Sequence, residues 1–434
     1  MGAAMSSLEG LCGGRSRPAP GAAVPVKVCA KTPDGSLQTS PAELAELGAS
    51  ALAAGAGDPV PFDEFMASEA YRNMVLAYID KGRNSAVFLE VSSLEALWAE
   101  PFEDRGLPRV ATGAGFEVDI GTAHEWALRQ QIGTGRRMAF IWNTGRCGST
   151  LMHRALCAAG VASLSEPFWF EQLNCVQAGP RDPEDEAEVQ TAFACQVVAW
   201  TVTLRLFPSA TLLALNPKGF GFLAHDLYRR AFPLDRFDAR FVMMYRDARD
   251  VVESFGSIFF KPAAEGDGKG SDKGKGKPKG KGKGKGKARA SRALRAKCQS
   301  ELDAAVAPAS DFARETSLSW SDQFLKWEEI VQEAPLEGRV LSVAFGEFTT
   351  KDPEARRRVL RACFEFFGLG DELLPQALEA FKENSQKGHA MENSSRVTGV
   401  KFLDPAGREA VAKFVEHLTG RAPDAAWARG IGEL

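Results

Sequence analysis

Short apolar runs that alternate with helical periodicity organise the middle of the chain. Met138–Trp142 is apolar and is followed, after a polar loop, by an amphipathic stretch from Leu151 to Ala159 that Gly160 closes. Val161–Leu164 is the next apolar run. A long helical stretch from Thr191 to Phe207 follows, then a run at Thr211–Leu215, helical periodicity at Leu223–Ala231, and a run at Phe241–Tyr245. Strands four to five residues long, each separated from the next by a helix, predict parallel strands covered by helices on both faces. The fold class expected is α/β, a three-layer parallel sheet with helices on both faces.

The flanks read differently. Residues 1–58 are rich in Gly, Ala, Pro and Ser and predict a disordered leader. Residues 59–135 predict a mainly helical accessory region, with helical patterns at Phe62–Ile79 and Leu94–Trp98 and one strand-like run, Ala86–Val91. Residues 136–260 and 311–434 carry the two parts of the core, separated by an insert at 261–310. The heart of the insert, Gly268–Lys287, is a Gly-Lys repeat without a residue to seed a core, so it predicts disorder. Residues 261–297 hold fourteen Lys/Arg against three acids, a charge of +11. The chain's net charge is −3, so the remainder carries −14. Such a loop either gathers polyanions or an anionic acceptor, or is a solvated expansion at low cost in stability.

Composition narrows the class. Hydrophobic residues make up 44% and charged residues 25%, ordinary for a soluble protein. The eight cysteines are scattered with no Cys-x-x-Cys pair, which predicts reduced thiols in a cytoplasmic setting and neither a zinc site nor a disulfide framework. No apolar run reaches the roughly 18 residues of a transmembrane helix, and the first residues lack the apolar core of a signal peptide. Met1-Gly2-Ala-Ala-Met-Ser6 fits an N-myristoylation pattern at Gly2, which would add a weak, reversible membrane anchor. The same residues fit a plain Gly/Ala/Ser leader.

Two loops carry the candidate chemistry. Asn143-Thr-Gly-Arg-Cys-Gly-Ser-Thr150 lies between the first core strand and its helix. Glycines there let the backbone approach an anion, and the helix start supplies N–H groups and the positive end of a dipole. Arg146 adds charge, and Ser149 and Thr150 add hydroxyls. Ser149 stands where a nucleotide-triphosphatase loop has its Lys, so this is a phosphate loop of another kind. In Tyr245-Arg-Asp-Ala-Arg-Asp-Val-Val-Glu-Ser254, Asp247 is the expected helix N-cap and Ser254 returns two turns later to the strand-end face. Arg246 and Ser254 are then placed to grip one phosphate together. Two anion sites on one sheet imply a ligand with phosphates at both ends.

These residues resemble the sulfotransferases that use 3′-phosphoadenosine 5′-phosphosulfate (PAPS), the carbohydrate-type and bacterial branch above all. Arg146-Cys-Gly-Ser-Thr150 resembles the family's 5′-phosphosulfate loop, with Arg where many members carry Lys. Arg246 through Ser254 resembles its 3′-phosphate motif. Ala162–Phe168 resembles the second strand, which carries a Glu in carbohydrate-type members, and Val340–Phe348 through Leu369 resembles the late strand and helix. The resemblance implies PAPS as sulfate donor, bound by Thr144, Gly145, Arg146, Cys147, Gly148, Ser149, Thr150, Arg246 and Ser254. Arg396 and Gly399 resemble loosely the element that closes over the 3′-phosphate. Leu151 departs from the family, whose cytosolic members carry Trp there against the adenine.

The implied reaction moves a sulfuryl group to a hydroxyl or amine of a small-molecule or carbohydrate acceptor. Glu166, at a strand end beside the loop, is the expected general base, and Arg146 the stabiliser of the departing phosphate. Lys218 matches a family Lys, but Phe220 stands where phenol-type members have a catalytic His. His225 is the reserve base. No residue spacing suits a metal, and the chemistry needs none. The competing readings are a non-catalytic nucleotide- or polyanion-binding protein on the same fold and a divergent P-loop kinase.

Overall fold

The computed structural model describes residues 18–28, 52–80, 83–100, 103–130, 137–167, 169, 197–198, 201, 203, 205–217, 234–235, 238–259, 299–306, 310–382 and 401–431. The Gly/Lys repeat, Gly2, Lys218, His225, Arg396 and Gly399 all lie outside the described residues.

The N-terminal half begins with β1 (Ala22–Val28), β2 (Leu52–Ala54), β3 (Val60–Pro61) and α1 (Phe62–Ala67). It continues through β4 (Met74–Asp80), β5 (Ser85–Val91), α2 (Leu94–Trp98), α3 (Glu103–Val110), β6 (Ala111–Asp119) and α4 (Ile120–Arg129). The strands form an antiparallel sheet in the order β2-β1-β6-β5-β4, with β3 on β1.

This corrects two expectations. The helical pattern expected over Phe62–Ile79 breaks into α1 and β4, and residues 59–135 hold β4, β5 and β6 among their helices, with β4 buried along its whole length. A strand covered on both faces loses its polar alternation, so its apolar run is easily taken for part of a helix. Within the presumed disordered leader, Ala22–Val28 is a strand, paired to β6 from Ala23↔Val118 to Lys27↔Ala114. Val24, Val26 and Val28 supply the β-branched alternation that the surrounding Gly, Ala and Pro conceal. One face of this sheet packs on α1 and α4 through aromatic contacts, among them Phe65–Phe116 at 4.8 Å and Phe62–Trp126 at 5.6 Å.

The second sheet is the α/β core. Its elements are β7 (Arg137–Asn143), α5 (Ser149–Ala158), β8 (Ala162–Ser165), β9 (Leu212–Asn216), β10 (Asp238–Tyr245) and α6 (Ala248–Phe259). After these come α7 (Ser310–Ile330), β11 (Val340–Ala344), α8 (Phe345–Phe348), α9 (Pro353–Phe367), α10 (Leu374–Glu379) and α11 (Pro405–Thr419). The five strands are parallel in the order β11-β10-β7-β9-β8.

Alternate residues of each strand feed opposite layers. Met138, Phe140 and Trp142 of β7 and Phe241 and Met243 of β10 pack with α6, α7 and α11. Ala139 and Ile141 of β7 and Val242 and Met244 of β10 pack with α5, α9 and α10. Each large side chain buried this way contributes about 1.5–3 kcal/mol.

Strand order locates the ligand crevice. From β7 the chain runs through α5 toward β8, on one side; from β10 it runs through α6 and α7 toward β11, on the other. α5 and α6 therefore lie on opposite faces, and the carboxyl ends of β7 and β10 part at a topological switch point, where open α/β sheets bind ligands. Both candidate loops start there.

Candidate functional site

The pairing of β7 with β10 is what joins motifs about a hundred residues apart. Their register sets Met244 beside Asn143, and Thr144 N donates to Met244 O at 3.1 Å. The phosphate loop and the Arg246 loop consequently leave the sheet side by side.

Thr144 to Gly148 form a tight turn. Gly145, Arg146 and Gly148 have φ of 79°, 55° and 89°. Glycine tolerates that region, whereas Arg146 is held there at a cost of order 1–3 kcal/mol. At Gly145 a Cβ would come within 2.7 Å of the Phe255 ring on α6, so a side chain there would push the two loops apart. Gly148 precedes α5, and no side chain caps this helix start. Its first N–H groups and dipole face the crevice, as an anion site requires. The Thr144 hydroxyl is buried beside Cys147 with no oxygen or nitrogen partner. Ser149 and Thr150 are buried at the helix start. Cys147 is no nucleophile, because burial pushes its thiol up to about 11, against the lowering pull of the Thr144 and Ser149 backbone groups.

Asp247 acts as the expected cap of α6: its carboxylate accepts from Arg249 N at 2.8 Å, and its carbonyl from Val251 N at 3.0 Å. Ser254 faces back into the crevice, buried, and there the two motifs meet. Arg146 Nε donates to Ser254 Oγ at 3.0 Å, and Arg246 Nη1 donates to Arg146 O at 3.3 Å. The Arg246 guanidinium lies 4.4 Å from the Phe345 ring centroid and 3.6 Å from Asp250 Oδ2, while Trp320 Nε1 donates to Arg246 O at 2.8 Å. Among the described residues, the Ser254 hydroxyl meets Arg146, and Arg246 reaches the Arg146 carbonyl with Phe345 against its guanidinium. Glu253 faces another way. Its carboxylate accepts from Phe402 N at 2.7 Å and Leu403 N at 2.8 Å, fixing the chain ahead of α11 to the same helix.

Glu166 directly follows β8, on the same carboxyl edge. Its φ is 51°, an uncommon conformation for a residue with a side chain, and its N–H donates to Asn216 O at 2.7 Å. β9 intervenes between β8 and β7, so Glu166 lies two strands from the phosphate loop, leaving room between them at the strand ends.

Several contributors escape a reading of sequence alone. Asn143 and Asn216 end neighbouring strands with buried amides, and Phe345 and Phe348 lie 3.4 Å from where a Gly148 Cβ would be. The one signal available was that β7 and β9 each close an apolar run on Asn.

His153, on the buried face of α5, is not part of the crevice. Its Nδ1 lies 2.9 Å from Ser163 Oγ, and the carbonyls of Glu100 and Trp98 favour its charged form. Burial, assisted by Arg154, pushes the imidazole down to about 4, against those carbonyls. A base whose pKa is lower folded than unfolded stabilises fully above its ordinary value near 6.5. That contribution is lost as pH falls toward 4, by up to about 1.4 kcal/mol per pH unit. Denaturant unfolding at pH 7 and pH 5 should show a loss of stability that is smaller in His153→Gln; the same loss in both proteins would contradict this.

Among the described residues, no helix is long and apolar enough to cross a membrane, and no group of three or more His, Cys, Asp or Glu is arranged to hold a metal ion. No family model matches the chain, and no curated protein matches it. Among solved structures it is similar to the sulfotransferase domain of the Synechococcus PCC 7002 olefin synthase, at 15% identity, covering 68% of this chain and 91% of that one with a TM-score of 0.31.

Proposed function

We propose that this chain is a sulfotransferase that moves a sulfuryl group from PAPS to a hydroxyl or amine of a small-molecule or carbohydrate acceptor. The observation that carries the reading is the Arg146 Nε–Ser254 Oγ bond at 3.0 Å. It sets a cation of one anion loop against a hydroxyl of the other, so that the two loops open side by side at the switch of the sheet. A nucleoside with phosphates at both ends asks for that arrangement. The residues present suit such a donor: an uncapped helix start, the Thr144 hydroxyl without an oxygen or nitrogen partner, and two arginines over a glycine turn.

Each role follows from chemistry. Glu166 takes the proton from the acceptor as its oxygen or nitrogen bonds to sulfur. The bond from sulfur to the bridging phosphate oxygen breaks, and its electron pair stays on the phosphate, giving adenosine 3′,5′-bisphosphate. Arg146 and the first N–H groups of α5 stabilise that growing charge. Arg246 and Ser254 hold the 3′-phosphate. Lys218 neutralises the transferring group or binds the acceptor, and Arg396 and Gly399 close over the 3′-phosphate, as the resemblance implies. A kinase reading is disfavoured because Ser149 occupies the place of the loop Lys.

Incubation with sulfur-labelled PAPS and pooled metabolites and glycans tests the proposal. Label should pass to an acceptor with release of an equal amount of adenosine 3′,5′-bisphosphate. Binding of the bisphosphate without any transfer of label would make this a nucleotide-binding protein instead.

A further inference from the structure

The buried amides behind the phosphate loop form a continuous relay across three strand ends. Asn143 Oδ1 accepts from Gly145 N at 2.9 Å, and Asn143 Nδ2 donates to Pro217 O at 2.8 Å and to Asn216 Oδ1 at 3.3 Å. Asn216 Nδ2 donates to Ser165 Oγ at 3.0 Å, and Asn216 O accepts from Glu166 N at 2.7 Å. Asn143 is 4% exposed, Asn216 0% and Ser165 2%. Asn143 Oδ1 is spent on its own loop, the other three polar atoms of the two side-chain amides are spent on a neighbouring strand end, and the last link, from Glu166 N to the Asn216 carbonyl, is main chain.

From this geometry we infer that Asn216, with Asn143, is a positioning residue that ties the Glu166 backbone to the phosphate loop, so that donor site and general base are held as one unit. The inference deepens the proposed transfer reaction and rests on it for its catalytic consequence. Two features make such a tie necessary. Glu166 sits in a left-handed conformation that the chain adopts only when its surroundings impose it. It also directly follows β8, which among the described residues pairs with β9 alone. A buried amide cannot drift without leaving donors or acceptors unsatisfied, so the relay resists displacement at either end. The strand preceding Lys218 is held through the Pro217 carbonyl by the same amide.

The test has one arm that needs no catalysis. In Asn143→Ala, whose side chain does not touch residue 166, amide exchange at Glu166 should accelerate about tenfold or more, while amides in the middle of β7 and β10 keep their wild-type rates. Unchanged exchange at Glu166 overturns the relay, whatever the enzyme does. The second arm is kinetic. Asn216→Ala should lower single-turnover transfer by about 10–100-fold and leave donor affinity within threefold, because a misplaced base affects the reaction and not donor binding. In a Glu166→Gln background the same substitution should have little further effect, since the two act through one group. Full additivity would overturn positioning through Glu166. If exchange responds and no transfer is ever detected, the relay stands as a structural tie and the sulfotransferase reading is what fails.

Discussion

Glu166→Gln is expected to lower sulfuryl transfer by about 10²–10⁴ while leaving donor affinity nearly unchanged. Gln keeps the shape of the side chain and its left-handed backbone but cannot accept the acceptor's proton. Arg146→Ala should fail differently. The guanidinium beside Ser254 meets the donor before reaction and meets greater charge as the sulfur–oxygen bond breaks, so affinity and turnover should both fall. The contrast is read by donor titration alongside single-turnover transfer. Near-normal transfer by Glu166→Gln, with loss in His225→Ala, would move the base to His225. Loss of donor affinity in Glu166→Gln as large as in Arg146→Ala would place Glu166 in donor binding.

Much of the core was legible because its signals are local. β7, β8, β9 and β10 each lie within a residue or three of an apolar run, and the glycines of the first loop adopt the positive φ that a tight anion turn demands. The parallel sheet with helices on both faces follows from the alternation of strands and helices. Asp247 as cap of α6 was legible for the same reason, since a cap is a contact over a few residues.

What escaped depends on contacts distant in sequence. The run Ala86–Val91 marked β5, but the rest of the antiparallel sheet was hidden because β4 buries both faces and because β1 holds its place through β6, about ninety residues away. Arg146 meeting Ser254 requires knowing that β7 and β10 are neighbours. The Asn143–Asn216–Ser165 relay needs three strand ends in register, and no single segment announces it. Phe345 beneath Arg246 is likewise a product of β11 ending next to β10.

Arg246→Ala is expected to weaken adenosine 3′,5′-bisphosphate binding by about 10–100-fold, the loss of one charge-assisted contact of about 1.5–3 kcal/mol. The Arg246 side chain also packs on Phe345 and donates to the Arg146 carbonyl, so a general loosening of the site would weaken every nucleotide. Adenosine 5′-phosphate, which lacks the 3′-phosphate, separates the two effects: its affinity should barely change in the variant. A parallel melting curve checks that the fold survives.

That comparison in the wild-type chain bears most directly on the central claim, that two anion loops at one switch point take one doubly phosphorylated nucleotide. Calorimetric titration of the full chain with adenosine 3′,5′-bisphosphate and with adenosine 5′-phosphate should give an affinity for the first at least about tenfold higher, a preference that Arg246→Ala removes. Equal affinities in the wild-type chain, or a preference for ATP with magnesium over both, would contradict it.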